Sequence, residues 1–264
     1  LNDTGGRGAP GTKPPAAGVA GASLTSVSSL PGRSSPVSLR TVAQAVKSSA
    51  SPSPSTAVYS GAATDLRVLA NRLTGTSAGG SGAYLDVTTL LFSSNTVTGP
   101  AAGSGVSFSA AAGGLLRVST NTFSSGPMYG LMSGALQPGT TLYISSNTFL
   151  PTVGGSTSTY GLYFNGLNQG TTVQNNSIYY RMTGGMAAGM VTYGLYAQNS
   201  PGLIIDHNRY NNPDVLTSGG GAAAFAFFAS GGARFTYNDV YSGELSNTAA
   251  YLLNLDNSPN VYVS

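Results

Sequence analysis

Eight carboxylate side chains and one histidine are the groups of this 264-residue chain that could support acid–base or metal chemistry. Such chemistry needs carboxylates gathered on one face, as an acid/base pair or a metal site. The densest group is Asp206-His207-Asn208-Arg209. The other acids are scattered along the chain: Asp3, Asp65, Asp86, Asp214, Asp239, Glu244 and Asp256. Whether any of them cooperate depends on the elements that position them.

A repeated unit marked by asparagine sets those positions. Around Asn147, apolar side chains occupy positions −5, −3 and +2: Leu142, Ile144 and Phe149. Six other asparagines fit the same frame, 24 to 32 residues apart: Asn71, Asn95, Asn121, Asn176, Asn208 and Asn238. Positions −5 and −3 point to the same face of a strand. Asparagine tolerates left-handed backbone, so it suits a sharp corner after that strand.

These units must stack, because each is too short to bury its own apolar face. Stacking lets the seven corner asparagines bond amide to amide from coil to coil as a structural asparagine ladder. A second apolar strand precedes most corners, for example at residues 160–164 and 193–196. Two or three short strands per turn predict an all-β chain, a parallel β-helix solenoid of about seven or more coils.

This register separates the acids. Asp206 lies at −2, where the neighbouring coils carry Gln174 and Thr236, so no second carboxylate stacks beside it. Arg209 and Asp239 share position +1 in adjacent coils and can pair across about 5 Å. We therefore predict no catalytic residue, no metal site, no cofactor and no enzymatic activity. A general base at Asp206 and His207, on an exposed face, is the alternative.

The −4 position points outward and carries arginine or tyrosine in several coils: Arg67, Arg117, Tyr143 and Arg234. Arginine and tyrosine bind glycans by stacking and hydrogen bonding, so these four are a candidate glycan-facing surface. The alternative is an ordinary outer β face, where tyrosine is favoured. Two sequons, Asn2-Asp3-Thr4 and Asn175-Asn176-Ser177, make Asn2 and Asn175 candidate glycosylation sites.

The composition excludes several functions. Charged residues are 7% of the chain, the net charge is +3, and no Lys/Arg cluster exists, which argues against nucleic acid as a partner. Zero cysteine excludes disulfides and thiolate metal sites. The longest strongly apolar run, residues 222–229, is too short to span a bilayer, so we predict no direct membrane insertion in this segment.

The composition divides the chain in two. Residues 1–56 are rich in Pro, Gly and Ser and form a linker, a cap or a degenerate coil; residues 39–46 fit a degenerate first coil or a short capping helix equally. Residues 57–264 form the parallel β-helix. Residues 258–264 parallel 200–206 and stop before a corner, so we expect the β-helix to continue beyond the C-terminal end, and open solenoid ends to be capable of self-association.

The corners Asn147-Thr148-Phe149 and Asn95-Thr96-Val97 resemble right-handed, pectin-lyase-like β-helix repeats. The Ala/Gly/Ser/Thr-rich composition, as in residues 93–99, is similar to that of the dispersed-gene-family surface proteins of kinetoplastid protozoa. The resemblance covers about residues 57–264. It implies an extracellular or cell-surface structural or adhesive segment, with glycans or other surface proteins as partners. The alternatives are a carbohydrate-active β-helix enzyme, such as a polysaccharide lyase or hydrolase, and a passive glycan-binding module.

Overall fold

The computed structural model describes residues 58–74, 81–98, 103–124, 129–134, 136–155, 158–167, 170–186, 190–212, 221–242 and 250–264. Every regular element in these ranges is a β-strand, and the strands pair in parallel from coil to coil, which confirms the predicted fold class. The predicted N-terminal segment 1–56, with residues 39–46 and Asn2, lies outside the described residues.

The strands, numbered in chain order, form three walls. Three long strands run through the first and second walls without a break: β1 (Val58–Leu69), β3 (Ser81–Ser93) and β5 (Ser104–Ser119). Later first-wall strands are β7 (Tyr129–Ser133), β11 (Thr159–Asn165), β15 (Val191–Gln198), β18 (Gly221–Phe228) and β21 (Ala250–Asp256). Later second-wall strands are β8 (Thr141–Ser145), β12 (Thr172–Gln174), β16 (Ile204–Asp206), β19 (Arg234–Thr236) and β22 (Tyr262–Val263).

The third wall follows the asparagine corners. Its seven strands are β2 (Arg72–Thr74), β4 (Thr96–Thr98), β6 (Thr122–Ser124), β9 (Thr148–Leu150), β13 (Ser177–Tyr179), β17 (Arg209–Asn212) and β20 (Asp239–Ser242). Two further strands, β10 (Thr152–Gly155) and β14 (Arg181–Met186), pair only with each other within the described residues.

The core is made of the positions that the repeat marks as apolar. Ile144 pairs with Val118 in the preceding coil and with Val173 in the following one. In the third wall, the rings of Phe123 and Phe149 stack with their centroids 4.7 Å apart. All of these side chains are buried. Burial of one such side chain contributes about 1.5–3 kcal/mol, so the shared interior is the main source of stability.

The left-handed residue at each asparagine corner is the one before the asparagine, which corrects our expectation. Positive φ values fall on a file of seven residues: Ala70, Ser94, Thr120, Ser146, Asn175, His207 and Tyr237. The seven ladder asparagines themselves do not have positive φ. Five of them are only 1% exposed, because their amides turn inward to bond the backbone of neighbouring coils, while the preceding residue reverses the chain: Asn95, Asn121, Asn147, Asn176 and Asn208.

A second corner, between the first and second walls, contains a glycine with positive φ in five coils: Gly113, Gly139, Gly170, Gly202 and Gly232. Counted by coils that have this corner, the solenoid has about five turns, slightly fewer than the seven or more that we predicted. The difference arises because the first two coils lack this corner: β1 and β3 contain no glycine with positive φ where they pass from the first wall to the second, whereas β5 makes the corner at Gly113 within its length.

Candidate functional site

The asparagine corners form one continuous hydrogen-bonded file. The Nδ2 of each asparagine donates to the Oδ1 of the asparagine in the next coil, at 2.9 to 3.2 Å, from Asn71 through to Asn238. The backbone N–H of each asparagine donates to the same oxygen, at 2.8 to 3.0 Å. The structure therefore brings all seven predicted ladder residues together.

From Asn95 to Asn238, each ladder amide also donates to a backbone carbonyl in the second-wall strand of the preceding coil. The Nδ2 of Asn147 donates to the carbonyl of Val118, and the Nδ2 of Asn176 donates to the carbonyl of Ile144. These contacts satisfy backbone groups that the corner would otherwise leave buried and unpaired, which is costly in a protein interior. The asparagine file therefore has a structural role, and its amide groups are engaged in hydrogen bonds within the protein.

A second ladder, of serine side chains, lies at the corner after the first wall. The Oγ of Ser200 accepts from the N–H of Leu167, that of Ser230 from Ser200, and that of Ser258 from Ser230, at 3.0 to 3.1 Å. Our reading of the sequence missed this ladder. Its signal was present, because each of these serines follows a first-wall strand by two residues.

Asp206 and His207 form a hydrogen-bonded pair on the surface. The imidazole Nδ1 lies 2.8 Å from Asp206 Oδ2, and the Thr236 hydroxyl donates to Asp206 Oδ1 at 2.5 Å. These bonds, that of Thr236 first and that of His207 second, lower the pKa of the Asp206 carboxyl. The ring of His207 lies 5.0 Å from the ring of Tyr237. A carboxylate with a lowered pKa is a weaker base, so the arrangement does not favour proton abstraction.

The neighbours of this pair leave it without a second acid. Across the coils Asp206 pairs in register with Gln174 and Thr236. Asp239, in the next coil, lies 3.4 Å from Arg209, and both side chains are more than half exposed. Among the described residues no group of three or more His, Cys, Asp or Glu could hold a metal ion.

The four residues of the predicted glycan-facing surface point outward and are exposed, as position −4 requires. Only Arg117 and Tyr143 are neighbours: they pair in register, and the guanidinium carbon lies 5.8 Å from the centre of the tyrosine ring. Arg67 is separated from Arg117 by Leu91. Arg234 lies three coils from Tyr143 and is flanked by Ile204 and Tyr262.

The first wall has an outer aromatic surface that we did not predict as a site. It consists of five partly exposed tyrosines and one phenylalanine, and we call it the tyrosine face: Tyr129, Tyr160, Tyr163, Tyr193, Tyr196 and Phe228. Successive rings lie 5.0 Å apart between Tyr129 and Tyr160 and 5.5 Å apart between Tyr160 and Tyr193. Burial, reinforced by the neighbouring phenols, raises the pKa of Tyr160 well above its usual range.

A glycine file in successive first-wall strands, Gly105, Gly130, Gly161 and Gly194, brings two columns of rings to one side. One column is Tyr129, Tyr160 and Tyr193, and the other is Tyr163, Tyr196 and Phe228. Tyr160 and Tyr163 are three residues apart, a spacing that would put them on opposite faces of a regular strand. The strand is irregular at Gly161, which takes no register partner between the pairs formed by Tyr160 and Leu162. A Cβ on Gly161 would lie 2.7 Å from the carbonyl oxygen of Gly194, so only glycine fits there. Both tyrosines consequently point outward, and their rings meet edge to face at 5.4 Å.

A family model described as a right handed beta helix region matches residues 56–263, most of the chain. This chain belongs to the right-handed β-helix family. No curated protein and no solved structure matches it.

Membership of the right-handed β-helix family establishes the architecture, including its hand. A β-helix of this kind is compatible with a structural module and with a pectin-lyase-like enzyme, so function has to be argued from individual residues. Of the two candidate glycosylation sites, Asn175 is exposed at the left-handed position of its corner, with φ 54°. Within the described residues, no helix combines the length and hydropathy needed to cross a membrane.

Proposed function

We propose that this β-helix is a non-catalytic structural or adhesive segment of an extracellular or cell-surface protein. The observation that supports it best is the uninterrupted amide ladder from Asn71 to Asn238. Its hydrogen bonds engage the polar side chain at every asparagine corner and hold neighbouring coils together, which makes the solenoid rigid. The outer faces carry few charges, and the acids on them are separated. A scaffold that presents surface along a stiff axis needs these properties and no reactive group.

The competing proposal is a carbohydrate-active enzyme, in which Asp206 and His207 would be the reacting groups. The experiment is to incubate the full chain with polygalacturonate, methylated pectin and xylan, and to measure unsaturated products and new reducing ends. We expect no turnover above buffer. Turnover that disappears in Asp206→Asn and persists in Asp239→Asn would establish an enzyme and overturn the scaffold proposal.

Passive glycan binding is a second candidate function, supported by the contact between Arg117 and Tyr143. An arginine beside an aromatic ring suits an anionic sugar, because the guanidinium forms charge-assisted hydrogen bonds while the ring packs against the sugar. We expect heparin or polygalacturonate to bind, with Arg117→Ala weakening the affinity. Arg72→Ala, an exposed arginine on the third wall, is the matched control. Equal losses in both variants would indicate only diffuse charge attraction.

Localisation and partners belong to the same proposal. The Ala/Gly/Ser/Thr-rich composition resembles that of kinetoplastid surface proteins, and the sequon at Asn175 is exposed. Both observations support a surface glycoprotein that binds glycans or other surface proteins. Antibodies against the chain should label intact cells of the source organism without permeabilisation. The peptide containing Asn175 should lose mass on treatment with an N-glycanase. Labelling that requires permeabilisation would contradict the extracellular placement.

A further inference from the structure

We propose that the tyrosine face is a site of oxidative cross-linking, in which Tyr163 and Tyr196 are joined covalently as dityrosine between adjacent coils. This inference goes beyond the scaffold function and does not depend on glycan binding. The proposed oxidant is a peroxide acting through a haem peroxidase, an extracellular source of one-electron oxidation. The product would be a covalent link between two rungs that are otherwise joined by hydrogen bonds and packing.

The geometry selects this pair. Tyr163 and Tyr196 are direct register partners in β11 and β15. Their rings lie 5.3 Å apart and are within 1° of parallel, whereas the Tyr129–Tyr160 and Tyr160–Tyr193 pairs are inclined by 25° and 27°. Both rings are partly exposed, so an oxidant can reach them while the strands hold them side by side.

The chemistry balances with one peroxide. Each phenol loses one electron and one proton to become a tyrosyl radical, and the two radicals couple through the ring carbons beside their hydroxyl groups. The hydrogens on those two carbons then move to the phenolic oxygens, which restores both aromatic rings. Two hydrogens are lost in total, and hydrogen peroxide accepts them as it is reduced to two molecules of water.

The surroundings favour this outcome over other oxidations. The chain has no cysteine and no tryptophan, the side chains that would otherwise compete for one-electron oxidants, so its fifteen tyrosines are the main targets. Radical coupling requires that two tyrosines meet. Neighbours held at contact distance have a very high effective concentration compared with tyrosines on separate molecules.

The ring network also places further oxidisable groups around the pair. Tyr160 contacts both partners edge to face, at 5.4 Å from Tyr163 and 5.7 Å from Tyr196. The hydroxyl of Tyr196 donates to Oε1 of Gln198 at 3.3 Å. Tyr129 lies 4.9 Å from Tyr163, and Tyr193 lies 5.3 Å from Tyr196. A radical formed on any other tyrosine of the face therefore lies beside a ring of the reacting pair and can be passed on by electron transfer over one contact.

The test treats the full chain with hydrogen peroxide and a haem peroxidase and follows dityrosine fluorescence. Cleavage after Arg117, Arg181 and Arg209 puts Tyr163 and Tyr196 on different peptides, 118–181 and 182–209. We expect these peptides to be joined, with a loss of two hydrogens. In an equal mixture of unlabelled and nitrogen-15-labelled protein, both joined peptides should carry the same label, because the link forms within one molecule.

Variants decide the assignment. Tyr163→Phe retains the ring and its packing but cannot form the phenoxyl radical, so the joined pair should be lost. Tyr143→Phe removes a phenol on the same peptide at the second wall and should leave the joined pair unchanged. Links confined to exposed tyrosines such as Tyr237 and Tyr262, links between differently labelled molecules, or a joined pair that survives Tyr163→Phe would each overturn the proposal.

Discussion

The side-chain Nδ2 and the backbone N–H of Asn121 both donate to the Oδ1 of Asn147, each at 2.9 Å. One carboxamide oxygen thus closes two hydrogen bonds to the coil before it, while the Nδ2 and N–H of Asn147 continue the pattern to Asn176 at 3.0 Å. Because every link is shared between coils, the corners of the solenoid are stabilised collectively.

Replacing Asn147 with alanine should lower the free energy of unfolding by roughly 3 kcal/mol. The substitution leaves buried donors and acceptors unpaired in two coils, and each such group costs about 1–3 kcal/mol. Urea unfolding followed by circular dichroism measures the change. Ser145→Ala, on the outer side of the same coil, is the control and should change the stability by less than about 0.5 kcal/mol. Equal effects of the two variants would show that the ladder is dispensable.

Gly161→Ala should be strongly destabilising, by roughly 3 kcal/mol or more, because the new Cβ would meet the backbone oxygen of Gly194 at 2.7 Å and overpacking of this kind forces backbone shifts. Gly134→Ala offers a matched control, since nothing lies within 4 Å of a Cβ built there. Both variants can be compared by thermal melting. Equal melting temperatures for the two variants would show that position 161 accepts a side chain, and would contradict the close packing of the coils at the glycine file.

Thr120→Asn should stabilise the protein by about 0.5–1 kcal/mol. Thr120 adopts φ 55°, a conformation that is unfavourable for a β-branched residue and better tolerated by asparagine. Its hydrogen bonds to Ser93 and Ser119 are exposed, so their loss costs little. The same change at Thr122, in strand β6, should be destabilising, because asparagine is disfavoured in strands. A lower urea midpoint for Thr120→Asn would contradict this account.

The tyrosine face should make the fold sensitive to alkali. Burial raises the pKa of Tyr129, Tyr160, Tyr193 and Tyr196 above the ordinary value of 10.0, so the folded state retains protons that the unfolded state releases. The contribution of these phenols to the free energy of unfolding is therefore fully present below pH 10 and is lost as the pH rises above it. Absorbance titration at the phenolate band should show these four tyrosines ionising only above pH 10, together with unfolding. A single transition near pH 10 in the folded protein would disprove the shifts.

The ion pair between Arg209 and Asp239 should contribute little. Both side chains are more than half exposed, and pairs of this kind are worth at most about 1 kcal/mol. Asp239→Asn should therefore leave the urea midpoint nearly unchanged at both low and high salt. A large, salt-dependent loss of stability would mean that the pair is protected from solvent in a way that its exposure does not suggest.

The spacing of a few apolar residues was sufficient to predict most of the fold. Leu142, Ile144 and Phe149 have the same spacing from their asparagine as their counterparts in other units, and a repeat too short to bury itself has to stack. The register followed, and with it the separation of Asp206 from other acids and the pairing of Arg209 with Asp239.

What the sequence by itself determined is thus the period, the parallel stacking and which side chains share a file, because these depend on side-chain alternation along the chain. Only the tertiary structure decided which corner residue is left-handed, because the preceding residue and the asparagine compete for that role and the choice depends on where the buried amide finds partners. The tyrosine face, likewise, could be recognised only in the tertiary structure. Tyr160 and Tyr163 lie on one side only because the coil above Gly161 approaches so closely that the strand departs from its two-residue period.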